Sequence, residues 1–128
     1  MSTIFSKIVE GEIPCHKIEE NESFLAFLDV FPLVEGHTLV IPKKETDYIF
    51  DIDSPDYIQL WSFAQKVAKK LKSKIDCKRI GVAVIGLEVA HAHIHLIPIN
   101  NVSDINFEKE KLSLSQQELA KIANEINA

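Results

Sequence analysis

Three histidines at every second position constrain this chain more than any other feature. His91, His93 and His95 lie in the segment Ala90–Ile99, where small or apolar residues separate them. Side chains on a strand alternate between its two faces, with positions i and i+2 roughly 6.6–6.8 Å apart. The pattern therefore predicts a strand that carries three imidazoles on one face and turns the intervening apolar side chains into the core.

Three interpretations of these imidazoles follow from the residues alone. The histidines could form an exposed polar strand face, although strict alternation of so rare a residue argues against chance. They could bind zinc, but only Glu88 and the distant His37 are evident as further ligands. They could attack phosphorus, because a neutral imidazole with a pKa of about 6.5 is a good nucleophile at neutral pH. The spacing favours the third interpretation.

Composition excludes several classes of partner. The 128 residues suit one domain, predicted over 1–128, and 46% of them are hydrophobic. Fourteen Lys and Arg against 19 Asp and Glu give a net charge of −5, without a basic cluster. This balance disfavours bulk nucleic acid and anionic membranes but permits a single nucleotide. The N-terminus has no signal-like apolar stretch, and Cys15 and Cys77 form no disulfide pattern, so we expect a cytoplasmic protein.

Strand and turn signals predict the sheet. Ser23–Val30 is typical of a strand that ends before Pro32, and Gly36–Pro42 is rich in β-branched residues, so the two should form a hairpin. Ile80–Gly86 is a continuous apolar run, which is typical of a central strand buried on both faces.

Two segments have helix signals. Ser54 is a predicted N-cap, with Pro55 at the first helical position and an apolar stripe over residues 57–75 that leaves Phe63 on its flank. Residues 115–118 form a capping-box pattern before a second amphipathic stretch. Together the elements predict an α+β fold, with a roughly five-stranded antiparallel sheet and two main helices on one face.

Four segments resemble one known family. His91–Pro98 resembles the His-x-His-x-His-hydrophobic-hydrophobic signature of the histidine triad superfamily of nucleotide hydrolases and transferases. Ile4–Pro14 resembles the N-terminal segment of that family, and Phe24–Pro32 with Gly36–Lys43 resembles its nucleotide-binding hairpin. The likeness is greatest to the Hint-like branch, whose members are typically homodimeric purine-nucleoside phosphoramidases.

The resemblance implies a role for each matched residue. His93 would attack the α-phosphorus of a nucleotide, His91 and His95 would flank it, and His37 would be the fourth histidine of the site. Asp29 would accept hydrogen bonds from the ribose hydroxyls. The expected activity is metal-independent hydrolysis or transfer of a nucleoside monophosphate group, with no cofactor. The apolar positions of the base pocket are Phe5, Ile8, Phe27 and Val30.

Several of these positions also have simpler explanations. Asp29 could be a turn former ahead of Pro32, and the apolar residues could belong to the core. Gly86-Leu87-Glu88 replaces the Gly-Gln stretch that many relatives carry before the triad, which places a carboxylate at position 88. A carboxylate there would be unfavourable beside an anion, so Glu88 could select a cationic leaving group or could be a solvated strand-end residue.

Metal and oligomeric state are further implications. Some bacterial relatives hold a structural zinc through a Cys-x-x-Cys near the start, where this chain has Thr3 and Ser6, with Glu45 near an expected histidine. We therefore expect no structural zinc. The resemblance implies a homodimer, for which Ile80–Ile85 and Phe63 are candidate contact residues. The alternative functions are a dinucleoside polyphosphate hydrolase, a zinc hydrolase and a non-catalytic purine-nucleotide-binding module.

Overall fold

The computed structural model describes residues 3–128. Met1 and Ser2 lie outside the described residues. The predicted domain, 1–128, and the N-terminal segment that has no signal-like stretch both begin with these two residues. Within 3–128 the chain forms three α-helices, five strands and two 3₁₀ turns. Their bounds, in chain order, are α1 (Ile4–Val9), β1 (Lys17–Glu20), β2 (Phe24–Leu28), β3 (Thr38–Pro42), a 3₁₀ turn (Ile49–Asp51), α2 (Ser54–Lys74), β4 (Arg79–Ala83), β5 (Ile94–Ile99), a 3₁₀ turn (Val102–Ile105) and α3 (Gln116–Asn127).

The strands form one antiparallel sheet in the order β1-β2-β3-β5-β4. The predicted α+β class and the five-stranded antiparallel sheet are confirmed. The predicted hairpin is also confirmed, since β2 pairs with β3 from Phe24 opposite Pro42 to Leu28 opposite Thr38. Both of its strands are shorter than the sequence predicts, because the residues between them form the turn that carries Asp29 and His37.

Alternation of side chains divides the interior into two layers. Phe24, Ala26 and Leu28 face the main core beneath α2 and α3, whereas Leu25 and Phe27 face the opposite side of the sheet. There they meet Leu39 and Ile41 of β3 and Phe5 of α1. The two long helices therefore cover one face of the sheet, and short α1 covers part of the other.

The histidine-rich segment is only partly a strand. β5 begins at Ile94, so His91 and His93 precede it and only His95 lies within it. The predicted alternation is nevertheless confirmed on the core side, because Ala92, Ile94 and Leu96 are all buried in the main core. The backbone thus keeps the two-residue period of a strand before the ladder of hydrogen bonds starts.

Two predictions about packing are wrong. The run Ile80–Gly86 does not form a central strand, because β4 is an edge strand whose residues are exposed or half-buried. An apolar run predicts a strand, but it does not identify which strands pair with it or whether it lies at the edge of the sheet. Phe63 is not available on the helix flank, because it is 5% exposed and its ring lies 5.6 Å from that of Phe24.

The helix ends agree with the sequence to within one residue. α2 begins at Ser54 with Asp53 as its N-cap, so the prediction of Ser54 as N-cap is wrong by one position. The capping box before α3 is confirmed: the Ser115 hydroxyl accepts from the Glu118 amide, and the Glu118 carboxylate accepts from the Ser115 amide. Among residues 3–128, no helix has the length and apolarity that a membrane crossing requires.

Gly36 is a point where the fold needs a glycine, and it directly precedes His37. Its φ is +91°, and a Cβ would overlap Ile75 Cδ1 and lie 3.3 Å from Pro98 Cγ. Gly11 supplies a comparison, because its φ is +82° but nothing lies within 4 Å of its would-be Cβ. An alanine at position 11 therefore meets backbone strain alone, whereas one at position 36 meets strain and a clash.

We predict that Gly36→Ala destabilises the fold more than Gly11→Ala. The left-handed backbone costs about 1–2 kcal/mol at either position, and overpacking adds about 1–3 kcal/mol at position 36. Urea denaturation of both variants measures the difference. The double variant Gly36→Ala/Ile75→Val removes the clashing Cδ1 and should recover part of the loss. Equal destabilisation by the two single alanines would contradict the packing argument.

Candidate active site

His37 and His95 form the buried centre of the site. In the sheet, His95 pairs with Leu39, so His37 lies diagonally across from it on the same face. The His37 Nε2 and His95 Nδ1 atoms are 2.9 Å apart. The Leu33 amide donates to His37 Nδ1 at 3.1 Å, so this nitrogen carries no proton. His37 therefore donates from Nε2 to His95, whose own proton is left on Nε2.

Both rings are neutral at pH 7. Burial is the main cause that lowers the pKa of His37 to about 4 and that of His95 to about 3, and nearby positive charge adds to it. A neutral pair can share one proton across the 2.9 Å contact, whereas two imidazolium rings would repel each other. The electrostatics thus agree with the directions of the hydrogen bonds.

One ring nitrogen of His93 is hydrogen-bonded, and the other has no hydrogen-bond partner among the described residues. Its Nδ1 lies 2.8 Å from the His91 carbonyl oxygen, and because a carbonyl can only accept, Nδ1 carries the proton. In the neutral ring, Nε2 then holds a lone pair. The ring centroid lies 4.9 Å from that of His95 and 5.0 Å from that of Phe5, both in edge-on contacts. A tautomer with the proton on Nδ1 and the lone pair on Nε2 is the one in which Nε2 can act as a nucleophile.

His91 is a fully buried support for its neighbour. Its Nε2–H donates to the Pro42 carbonyl at 2.7 Å, and its Nδ1 lies 3.1 Å from the Thr3 hydroxyl, from which it accepts. Burial lowers the pKa of His91. With both nitrogens engaged, the ring acts by fixing the backbone carbonyl that holds His93.

A chain of polar side chains continues from His91 to the surface. The Thr3 hydroxyl accepts from the Ser6 amide at 3.0 Å, and the Ser6 hydroxyl donates to Glu45. These are the positions at which the sequence resemblance suggested zinc ligands in some relatives. In this chain they form a hydrogen-bonded cluster that ties α1 to His91.

The two carboxylate oxygens of Asp29 make different contacts. One carboxylate oxygen, Oδ1, accepts from the Phe31 amide at 2.9 Å, which is the turn-forming bond. The other, Oδ2, lies 3.6 Å from His37 Nε2 at the edge of the histidine pair. Burial raises the pKa of Asp29. The turn interpretation is therefore correct for one oxygen, and the second oxygen remains directed toward the site.

The same three residues test the metal interpretation. One ligand atom each from Asp29, His37 and His95 lies within 4.8 Å of the others, so the sequence-based view that only Glu88 and His37 could assist the triad as ligands is wrong. A metal on this set would, however, have to displace the Nε2 proton of His37 and break its bond to His95. The hydrogen-bond directions fit a relay of protons better than a chelate.

Apolar residues form a cluster beside His93. The rings of Phe5 and Phe27 lie 5.7 Å apart in edge-on contact, and Ile8 and Val89 pack against them. Three of the four predicted base-pocket residues thus meet, and Val89 was missed because it lies in an irregular loop. Val30 is 40% exposed and lies outside this cluster.

Charged and aromatic residues surround the rim. Glu88 is exposed in the loop between β4 and β5, close enough that its charge raises the pKa of Asp29. Sequence reasoning missed Phe107, whose ring lies 4.8 Å from that of His95 and 6.2 Å from that of His37. It also missed Lys111, whose charge acts on the same histidines. Neither residue belongs to a periodic pattern; a lone Phe in a polar stretch was the only signal.

Two proteins of known sequence are similar to this chain over most of its length. An adenosine 5'-monophosphoramidase of Schizosaccharomyces pombe is 35% identical over 102 residues, which are 79% of this chain and 77% of that protein. An uncharacterized HIT-like protein of Mycoplasma genitalium is 39% identical over 102 residues, covering 76% and 72% of the two chains.

A solved structure extends the likeness to nearly the full chain. A Hit-like protein involved in cell-cycle regulation from Bartonella henselae superposes with a TM-score of 0.85 at 29% identity, covering 98% of this chain and 95% of that one. The family model described as "HIT domain" matches residues 10–102, which include His37 and the whole histidine triplet. The chain therefore belongs to the HIT domain family.

Proposed function

We propose that this protein is a metal-independent nucleotide hydrolase or transferase that cleaves a nucleoside monophosphate linkage, such as a phosphoramidate, through a nucleotidyl-His93 intermediate. The observation that carries the proposal is the fixed tautomer of His93, which leaves a lone pair on Nε2 in a ring held among neutral imidazoles. The phosphoramidase activity named for the S. pombe relative supports it.

The proposed reaction has two steps, and the contacts of His93 and His95 support a role for each ring. His93 Nε2 forms a bond to the α-phosphorus as the bond to the leaving group breaks, and the leaving group takes the electron pair and gains a proton from solvent. The His91 carbonyl stabilises the Nδ1–H of the cationic ring that results. His95 Nε2–H is free to donate to a phosphoryl oxygen. Water then forms a bond to phosphorus as the P–Nε2 bond breaks; the electron pair returns to His93 Nε2, a proton of the water passes to solvent, and the nucleoside monophosphate is released.

The nucleotide would lie along the sheet face opposite α2 and α3. The aromatic pair Phe5 and Phe27, with Ile8, would contact a purine base, and the exposed Val30 would close over it from the turn. The second oxygen of Asp29 would accept from the ribose hydroxyls. Glu88, at the rim, would favour a cationic leaving group such as an amine or lysyl moiety.

We also propose that two chains associate through the free edge of β4. The edge strand and the loop after it expose apolar side chains, among them Val82, Ile85 and Leu87, which is 88% exposed. An apolar edge strand of this kind is a template for pairing with a second chain. Phe63 is no part of this surface, because it is buried within the chain.

We predict that His93→Ala abolishes turnover of a nucleoside phosphoramidate, by roughly three orders of magnitude or more, because the covalent step is lost. Intact-protein mass spectrometry should detect a nucleotidyl adduct on the unaltered protein and none on the variant, while binding of AMP changes little. His16→Ala is the control, because that histidine bonds Gln116 away from the site. Activity above a few per cent in His93→Ala would refute the assignment.

Removal of metal should leave the reaction intact. We predict that untagged protein contains well under one zinc per chain and retains its rate in EDTA, since a metal on Asp29, His37 and His95 would disrupt their hydrogen bond. Elemental analysis and rates before and after chelation measure this. Stoichiometric zinc, lost together with activity and restored by added zinc, would favour a zinc hydrolase instead.

Asp29→Asn separates ribose recognition from turn formation. Asparagine keeps an oxygen that can accept from the Phe31 amide, so we expect little change in melting temperature. Loss of charge-assisted hydrogen bonds of about 1.5–3 kcal/mol should weaken AMP binding roughly ten- to a hundredfold. Binding of a 2′,3′-dideoxynucleotide should scarcely change. Equal weakening of both ligands, with a melting temperature several degrees lower, would show that Asp29 is structural only.

A further inference from the structure

The segment between β5 and α3 crosses the open side of the histidine pair. Phe107 contacts His95 and His37 edge-on, with interplanar angles of 75° and 85°. Five residues later, the Leu112 amide donates to the Pro32 carbonyl at 2.8 Å, next to the turn that carries Asp29. We call residues 107–112 the C-terminal strap. Its two ends are thus attached to the two sides of the site.

Lys111 directly precedes the second attachment point, so the strap places its charge near the site. Its positive charge adds to burial in lowering the pKa of His37 and His95, and it partly offsets the burial that raises the pKa of Asp29. These effects agree with the position of residue 111 beside the Leu112–Pro32 bond. Among residues 3–128, no carboxylate oxygen lies within 4.0 Å of Lys111 Nζ. Lys111 is exposed, and no ion pair with a described residue neutralises its charge.

The charge balance of the site favours an additional cation. His37 and His95 are neutral, whereas Asp29 and Glu88 are carboxylates on the rim. A nucleoside monophosphate group carries at least one negative charge, and two carboxylates would oppose its binding. The donors on neutral imidazoles supply hydrogen bonds but no net positive charge. A lysine that faces the histidine pair would offset that repulsion.

We propose that Lys111 is a phosphate-binding residue and that the strap is part of the nucleotide site. The inference rests on the proposed function, since it assigns a further residue to the same ligand. The strap lies outside residues 10–102, the part of the chain that matches the family model. Phe107 is the positioning residue, because its contact with His95 holds the strap in place.

Calorimetric binding of AMP and of adenosine to the full chain tests the proposal. Lys111→Met should weaken AMP about tenfold, the value of a charge-assisted hydrogen bond of about 1.4 kcal/mol, and should leave adenosine unchanged. The affinity of Lys111→Arg for AMP should stay within about threefold of that of the unaltered protein, because arginine retains the charge and the hydrogen-bond donors. Lys109→Met is the matched control, since it removes the same charge from the same strap, where it acts on Asp104 instead. Its affinity for AMP should stay within about twofold of that of the unaltered protein.

Phe107→Leu tests the positioning role. Phe107→Leu should lower the affinity for AMP and leave the affinity for adenosine unchanged. Adding Lys111→Met should then lower the AMP affinity little further, because without the Phe107–His95 contact the strap no longer holds Lys111 near the phosphate.

Each contrary result has its own meaning. If Lys111→Met binds AMP as Lys109→Met does, Lys111 is not a phosphate ligand. If it weakens AMP and adenosine equally, the strap shapes the pocket and the phosphate role is wrong. Fully additive losses in the double variant would overturn the role of Phe107. A protein that shows the AMP-specific loss but forms no adduct on His93 would refute the proposed chemistry alone, whereas one that binds neither AMP nor GMP would refute both.

Discussion

The hydrogen bond from the Leu33 amide to His37 Nδ1 sets the proton arrangement of the site. Because this nitrogen accepts, His37 must donate from Nε2 to His95, and His95 must keep its own proton on Nε2. Two backbone carbonyls make the corresponding choice for His91 and His93. Main-chain groups therefore assign the tautomer of His37, His91 and His93 directly, and that of His95 through His37. The chemistry of the rings is a consequence of backbone geometry, which the sheet and the turn before β3 hold fixed.

Neutrality of the histidine pair links this arrangement to stability. In the folded chain burial holds the pKa of His37 near 4 and that of His95 near 3, well below the unfolded value of about 6.5. Well above pH 6.5 neither the folded nor the unfolded chain binds protons on these rings, so their titration does not lower the free energy of unfolding. As the pH falls below 6.5 the unfolded chain binds protons that the folded chain refuses, and stability declines until the folded pKa values are reached. The fold thus favours the same neutral rings that nucleophilic catalysis requires.

Short-range patterns predicted the elements that carry these groups, whereas contacts between distant segments were beyond them. The alternation around His95, the β2–β3 hairpin and the capping box at Ser115 are local, since each depends on residues within a few positions of one another. The edge position of β4 depends on which strands pair, and an apolar run looks the same at an edge as in the centre. The approach of Asp29 to His37, and of Phe107 to His95, is set by folding of the whole sheet. No local spacing encodes it.

The division of β5 between two layers explains why so small a domain can hold a reactive site. Ile94 and Leu96 are buried in the main core, and His95 between them faces the opposite side. A slip of one residue in the β3–β5 register would place an imidazole among the leucines beneath α2 and α3, at the cost of an unpaired buried polar ring. The hydrophobic residues of β5 thus fix the position of His95 without touching the site. The charged side chains that we propose act on the substrate, Glu88 and Lys111, come from the irregular segments before and after this strand. Their charges can change without disturbing the register that aligns the histidines.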